Sequence, residues 1–494
     1  MQQLEMWIVK RAQQFPNQLA LIQLDTKEEW TYAQLLQYIS SWLHYFTSKQ
    51  FKQNERIAVL MDNSIHSFAI LFACRLANII YVPLNWRMAD EELHAVLQDC
   101  TPALLITDEV NVARGEKLFA HSLLVYTTVD IVQKELMYTW QNNPNQPWMM
   151  IYTGGTTGKS KGVVLSYEAV TANAINTVIS WGLNDQDCTL NYMPLFHTGG
   201  INALSLPVLL AGGTVVIGNK FDAEQAVRAL DVYKTTISLF VPTMYQAMVE
   251  TNYFQQSAFP TVKVFLSGGA PCPKTIYKRF AERGLRFKEG YGLTEAGPNN
   301  FYIDAEVAAN KNGAVGKSML FNEVKVVNKR GELCKSGEIG ELYVRGSHVF
   351  SMYWNNDEET RNAMCDSWLK TGDLAKFDDE GDYFIVGRKK EMIITGGENV
   401  YPQEVEQCLF AQDFVEEVAV IGIPDDIWGE SVTAFVVTKA PTEYLEELLK
   451  AACAERLGKY KVPKRFYFLP SLPKTVVGKI DKKQLFSYAL DHHK

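Results

Sequence analysis

The sequence predicts an α/β protein: a large N-terminal domain of βαβ-type sheets with a small barrel-like section, then a small α+β C-terminal domain. Three observations carry this expectation. Strand-like apolar runs alternate with helix-like stretches through much of the chain. From about residue 310 the texture changes to short alternating segments separated by turns, the signature of an antiparallel section. Finally, the last hundred or so residues read as a compact unit with their own strands and amphipathic helix.

In chain order, RIAVLMD (56–62), ALLITD (103–108), TVVIG (214–218), TISLFVP (236–242) and VKVFLSGG (262–269) are the strand-like runs. Each is rich in β-branched or large apolar residues and is bounded by polar or turn-forming ones. Between the later ones lie AEQAVRALDVY (223–233) and PKTIYKRFAERG (273–284), whose apolar residues recur at helical spacing. EIGELYVRG (338–346) and DEGDYFIVGR (379–388) belong to the antiparallel section. A charged break, GRKKEM (387–392), separates two apolar runs and marks the junction, giving domains 1–388 and 389–494. Beyond it come VEEVAVIGIP (415–424), ESVTAFVVT (430–438) and the amphipathic helix YLEELLKAACAERL (444–457).

Composition narrows the function classes. With 494 residues, 47% hydrophobic and 21% charged, the chain has ample material for a large core. A net charge of -8 argues against a nucleic-acid partner. It leaves anionic small substrates open, because a few lysines can dominate a local site. The eight cysteines form no C-x-x-C pair and no zinc-ligand spacing, so buried or incidental thiols in a reducing cytosol are expected. The N-terminus lacks signal-peptide features, and the longest apolar stretch, 67–84, is interrupted by Arg75 and Asn78. The expectation is a cytoplasmic protein with no transmembrane segment. The sequence does not decide between a monomer and a homodimer.

The first chemical signal is YTGGTTGKSKG (152–162), directly after the apolar WMMIY. Its glycines permit a tight turn that gathers backbone N–H donors, while threonine hydroxyls and lysines add donors and positive charge. Polyphosphate is the natural ligand. An ordinary P-loop is not, because that motif needs a glycine where this chain has Thr153. The second GKS, at 316–318, fails in the same way at Lys311.

This loop resembles the phosphate-binding signature of the adenylate-forming acyl-CoA synthetases, usually written YTSGTTGKPKG; Gly154 and Ser160 depart from it. The family's other markers follow in order: PLFHTGG (194–200), GGAP (268–271), YGLTE (291–295), TGD (371–373), GRKKEMIITGGENVYPQEVE (387–406) and PKTVVGKI (473–480). The resemblance therefore covers nearly the whole chain. It implies an ATP-dependent ligase that uses Mg²⁺ and coenzyme A to convert a carboxylic acid into its CoA thioester.

The resemblance also implies roles. Thr153, Gly154, Gly155, Thr156, Thr157, Gly158 and Lys161 cradle the phosphates. Gly268, Gly269, Ala270 and Pro271 pass the adenine, with Tyr291 and Gly292 offering it a flat face. Asp373 takes the ribose hydroxyls, and Arg388 contacts the nucleotide nearby. Glu295 is the expected Mg²⁺ ligand, since hard cations prefer carboxylate oxygen, with Thr153 beside the metal and Thr294 bonding phosphate. Lys479 bridges carboxylate and α-phosphate, where a point cation stabilises charge that develops in the transition state. Lys390 is the hinge about which a mobile C-terminal domain turns. The Gly396, Gly397 and Glu398 turn then faces pantetheine. His197, Thr198, Gly199 and Gly200 wall the acyl pocket, with His197 a gate and not a general base.

Two half-reactions are expected: adenylation of the acid with release of pyrophosphate, then thioester formation with release of AMP. The segments around the acyl pocket are mostly apolar or small, which favours a medium- or long-chain fatty acid. The alternatives are o-succinylbenzoate and a carrier protein as acceptor in place of CoA.

Overall fold

The structure is a computed structural model that describes residues 6–119, 122–131, 143–154, 160–439, 444–475 and 479–492. Two seven-stranded sheets form the body of the N-terminal region. In the first, the parallel neighbours Phe287–Glu289, Val264–Ser267, Ile237–Phe240, Cys188–Asn191 and Thr214–Ile217 run to Leu19–Gln23 and an antiparallel edge strand, Glu29–Thr31. In the second, Ile80–Pro83, Arg56–Leu60, Leu104–Thr107 and Leu123–Val125 are parallel. Pro147–Thr153, Lys161–Ser166 and Met352–Tyr353 complete it.

Strands buried on both faces read as continuous apolar runs, which is why RIAVL and LLIT show no alternation. The helices between them are capped as the sequence dictates. Ser166 accepts a hydrogen bond from the Ala169 N–H at the head of Tyr167–Trp181, and Asp222 does the same for Gln225 at the head of Ala223–Val232.

A third, antiparallel sheet lies where the barrel-like section is expected. It is built from Phe301–Tyr302, Ala314–Ser318, Tyr383–Arg388, Trp368–Phe377, Gly340–Arg345 and Glu323–Val327, with Met364–Cys365 beside Trp368–Phe377. The fourth sheet, Glu398–Val400, Ile393–Thr395, Gly429–Thr438, Val415–Asp425 and Arg465–Phe468, belongs to the C-terminal region. Its two apolar clusters draw only on residues from Ile393 onward, so this region has cores of its own. All eight cysteines are free, and only Cys365 is exposed. Among the described residues no helix is long and apolar enough to cross a membrane.

Candidate active site

The glycine-rich loop joins two antiparallel strands of the second sheet, and the register sets Thr153 directly opposite Lys161 at its base. Gly154 is exposed at the start of the loop. Gly155, Thr156, Thr157 and Gly158 lie outside the described residues. Lys161 pairs with Glu359, and its ammonium lies 5.2 Å from the centroid of the Tyr353 ring. The Tyr353 hydroxyl donates to Glu295 Oε1 at 2.8 Å. The phosphate-loop lysine and the candidate metal carboxylate therefore meet across one tyrosine.

Tyr291 to Glu295 follow the sheet-edge strand Phe287–Glu289 and end in a short 3₁₀ turn, Thr294–Ala296. A Cβ at Gly292 would sit 2.2 Å from the Pro298 carbonyl carbon, so only glycine fits there. The Tyr291 hydroxyl donates to Asp373 Oδ2 at 2.6 Å. Asp373 stands in register opposite Arg388, and their side chains pair at 2.8 Å. Thr371 Oγ1 accepts the Asp373 N–H, which fixes the turn before the carboxylate. Burial raises the Asp373 carboxyl above its ordinary value, against the opposing pull of Arg388. Such a carboxylate holds hydrogen-bond partners already and can exchange them for a ligand's hydroxyls.

Gly268 to Pro271 form the turn after the strand Val264–Ser267, with Gly269 at φ +81°. The next residue is tied down: Glu289, 8% exposed, accepts the Cys272 N–H, and its other oxygen accepts the Tyr277 hydroxyl at 2.7 Å. Burial pushes the Glu289 carboxyl up to about 7.

His197, Thr198, Gly199 and Gly200 bend back on themselves. The Gly199 N–H donates to His197 Nδ1 at 3.1 Å, which leaves that nitrogen unprotonated. Burial and the charge of Lys479 lower the His197 imidazole to about 4. A neutral imidazole of such low basicity is a wall or a positioning group, as the sequence reading expects. A small blind cavity of 10 Å³ lies beside Gly199, walled by residues that include Thr189, Asn191, Leu204, Ser205 and Leu239.

Lys479 arrives from the far end of the chain. It sits on a tight hairpin closed by the Lys474 to Ile480 bridge and by mutual bonds between Thr475 and Lys479. The Lys479 residue is exposed. Desolvation and the charge of Arg388 lower its ammonium below the usual lysine range, with Asp373 and Glu391 opposing. Lys479 is therefore near enough to His197, Asp373 and Arg388 to feel or alter their charge.

Lys390 is exposed in the 3₁₀ turn Lys389–Glu391, and Lys389 pairs with Glu341 of the antiparallel sheet at 2.7 Å. Gly396 and Gly397, both with positive φ, form the turn of a hairpin in which Thr395 pairs with Glu398. All three residues from Gly396 to Glu398 are exposed, and the Gly396 N–H bonds the Trp428 carbonyl and no group of the cleft.

Tyr353, Glu359 and Glu289 are absent from the sequence reading, and Thr371 enters it only as the first residue of TGD. The YWNN segment carries no motif of its own, and a tyrosine 58 residues from Glu295 gives no signal in a single sequence. Glu289, two positions before Tyr291, was the one within reach, by its closeness to the YGLTE motif.

Among the described residues no group of three His, Cys, Asp or Glu side chains is placed to hold a metal ion. One carboxylate, Glu295, beside a phosphate loop matches how Mg²⁺ is usually held, by one or two carboxylates with substrate phosphates and water.

These geometries define a nucleotide-dependent carboxylate-activating enzyme, and the chain belongs to the AMP-binding enzyme family. The family's models match residues 8–354, as AMP-binding enzyme, and 404–479, as its C-terminal domain. The chain is 34% identical over 485 residues to feruloyl-CoA synthase of an Amycolatopsis species, covering 97% of each protein. It is 32% identical to the indoleacetate–CoA ligase of Aromatoleum aromaticum, again over 97% of each. Among solved structures, o-succinylbenzoate CoA synthetase from Bacillus subtilis, bound to its acyl-adenylate intermediate, superimposes with a TM-score of 0.88 at 28% identity, covering 98% of each chain. The same enzyme is also known in complex with ATP and magnesium ion. The protein is thus an ATP-dependent, AMP-forming acid–thiol ligase whose cosubstrates and cofactor are ATP, coenzyme A and Mg²⁺.

Proposed function

We propose that this ligase activates a compact, aryl-bearing carboxylic acid. Lys479, Glu295, Asp373 and Arg388 carry the adenylation, and the region 389–494 turns about Lys390 between the two half-reactions. The observation that carries the catalytic part is the bonded set Tyr291–Asp373–Arg388, with Lys479 near enough to act on its charge. The substrate reading replaces the fatty acid favoured by the apolar pocket segments. It is supported by the full-length relatives, which act on feruloyl, indoleacetate and o-succinylbenzoate groups.

In the first step a carboxylate oxygen of the acid attacks the α-phosphorus of ATP. The new P–O bond replaces the bond to pyrophosphate, which leaves. Lys479 lies against both reacting anions and stabilises the charge gathered on the transition state. Asp373 exchanges Tyr291 and Arg388 for the ribose hydroxyls, while the ledge from Gly268 to Pro271 and Tyr291 bracket the adenine. Glu295 would hold Mg²⁺, which would supply charge neutralisation at the phosphates.

In the second step the CoA thiol, having lost its proton to solvent, attacks the acyl carbon. The bond from acyl carbon to phosphate oxygen breaks, and AMP leaves. The exposed Gly396–Gly397–Glu398 hairpin is free to line the thiol's path after the turn, and a separate C-terminal core suits a unit that moves as a body.

The test is a panel assay with Mg·ATP and CoA, quantifying AMP and thioester together for hydroxycinnamates, arylacetates, o-succinylbenzoate and fatty acids of increasing length. Preferential turnover of an aryl acid supports the proposal. Preferential turnover of long-chain fatty acids overturns the substrate class and leaves the reaction type standing.

A further inference from the structure

We propose that Tyr353 is a positioning residue that aims the Glu295 carboxylate at the metal and couples it to the phosphate loop. The inference rests on the reading of Glu295 as the Mg²⁺ ligand. Tyr353 is 7% exposed, and its hydroxyl donates to Glu295 Oε1 at 2.8 Å, leaving Oε2 as the outward oxygen. A second bond fixes the backbone of the same glutamate: the Phe350 N–H donates to the Glu295 carbonyl at 2.8 Å.

The segment that carries Tyr353 is stitched to the strand leaving the glycine-rich loop. Tyr353 lies in register with Val163, the Trp354 N–H bonds the Gly162 carbonyl at 2.7 Å, and the Ser351 N–H bonds the Val164 carbonyl. The Tyr353 N–H in turn donates to Thr360 Oγ1 on the following helix, Asp357–Ala363. With the Lys161 ammonium over its ring, one side chain thus touches both the phosphate cation and the metal carboxylate. A free glutamate would rotate between several staggered positions, and the hydrogen bond selects one of them.

Tyr353→Phe removes only the hydroxyl and keeps the ring under Lys161. Mn²⁺ serves as the probe, its binding followed by electron paramagnetic resonance in the presence of α,β-methylene-ATP, with wild type and Glu295→Gln measured alongside. The expected result is a loss of Mn²⁺ affinity of roughly tenfold in Tyr353→Phe, the usual worth of a hydrogen bond to a charged group. Metal-free binding of the nucleotide analogue and the melting temperature stay near wild type. Unchanged Mn²⁺ binding in Tyr353→Phe, with loss in Glu295→Gln, would show that the tyrosine only packs and would overturn the inference. Unchanged binding in both variants would instead remove Glu295 as the ligand, and with it the metal assignment under the proposed function.

Discussion

Glu289 is a buried acid that ties down the residue following the Gly268–Pro271 turn. Burial raises it from the ordinary 4.5 to about 7. The folded chain therefore holds the Glu289 proton more tightly than the unfolded chain does. The stability it contributes is complete below about pH 4.5 and is lost as the pH rises through about 7. At about 1.4 kcal/mol per pH unit, the gap costs about 3 kcal/mol above pH 7 relative to acid.

Glu289→Gln keeps an acceptor for the Cys272 N–H and never charges. It forfeits the acceptor for the Tyr277 hydroxyl, a loss of about 1 kcal/mol at every pH. Thermal and denaturant midpoints measured near pH 5 and near pH 8 separate the two effects. The variant should lie slightly below wild type in acid and gain about 3 kcal/mol on it by pH 8, a shift of several degrees in melting temperature. Parallel pH dependence in the two proteins would refute the argument, because the carboxyl would then titrate alike folded and unfolded.

Other expectations follow from the same site. Lys479→Ala should slow acyl-adenylate formation by about 10²–10³-fold while leaving thioester formation from supplied acyl-adenylate nearly intact. Loss of both half-reactions in a folded protein would contradict that division. Asp373→Ala should raise the KM for ATP by roughly tenfold or more, since it removes a charged hydrogen-bonding partner and strands Arg388; isothermal titration with ATP checks it. Because His197 is lowered to about 4, its imidazole stays neutral through neutral pH. The pH profile of adenylation should therefore show no inflection near 6.5 that His197→Asn abolishes. Gly292→Ala should sharply weaken nucleotide binding, read by the same titration, because its Cβ would collide with the Pro298 carbonyl.

Much of the fold was legible because its strands are short apolar runs between turn-forming residues. RIAVLMD becomes the strand Arg56–Leu60, and VKVFLSGG becomes Val264–Ser267 followed by the glycine ledge. The helix expected over 444–457 runs Leu445–Arg456. For the loop at 152–162 the sequence proposes anion binding on a different ground, since glycine, threonine and lysine in one short stretch leave few other roles.

Pairings across the fold were not legible. Asp373 meets Arg388 only because a bulged antiparallel register between Trp368–Phe377 and Tyr383–Arg388 sets them opposite, and register is invisible without the partner strand. Tyr353 meets Glu295 through an edge pairing of two residues, too short to leave a pattern. The acyl group was hardest of all. Its pocket draws on separate segments, and apolar composition alone cannot distinguish a ring from a chain.

The pairing of Lys161 with Glu359 has a consequence for how ATP arrives. The Lys161 ammonium carries its own counter-ion, Glu359, on the helix Asp357–Ala363. An incoming polyphosphate then exchanges one internal anion for another, where a bare lysine would shed a small ion to the buffer. Nucleotide affinity should accordingly fall less steeply with ionic strength in this protein than in its Glu359→Gln variant, and the carboxylate displaced on binding keeps its charge but loses its partner.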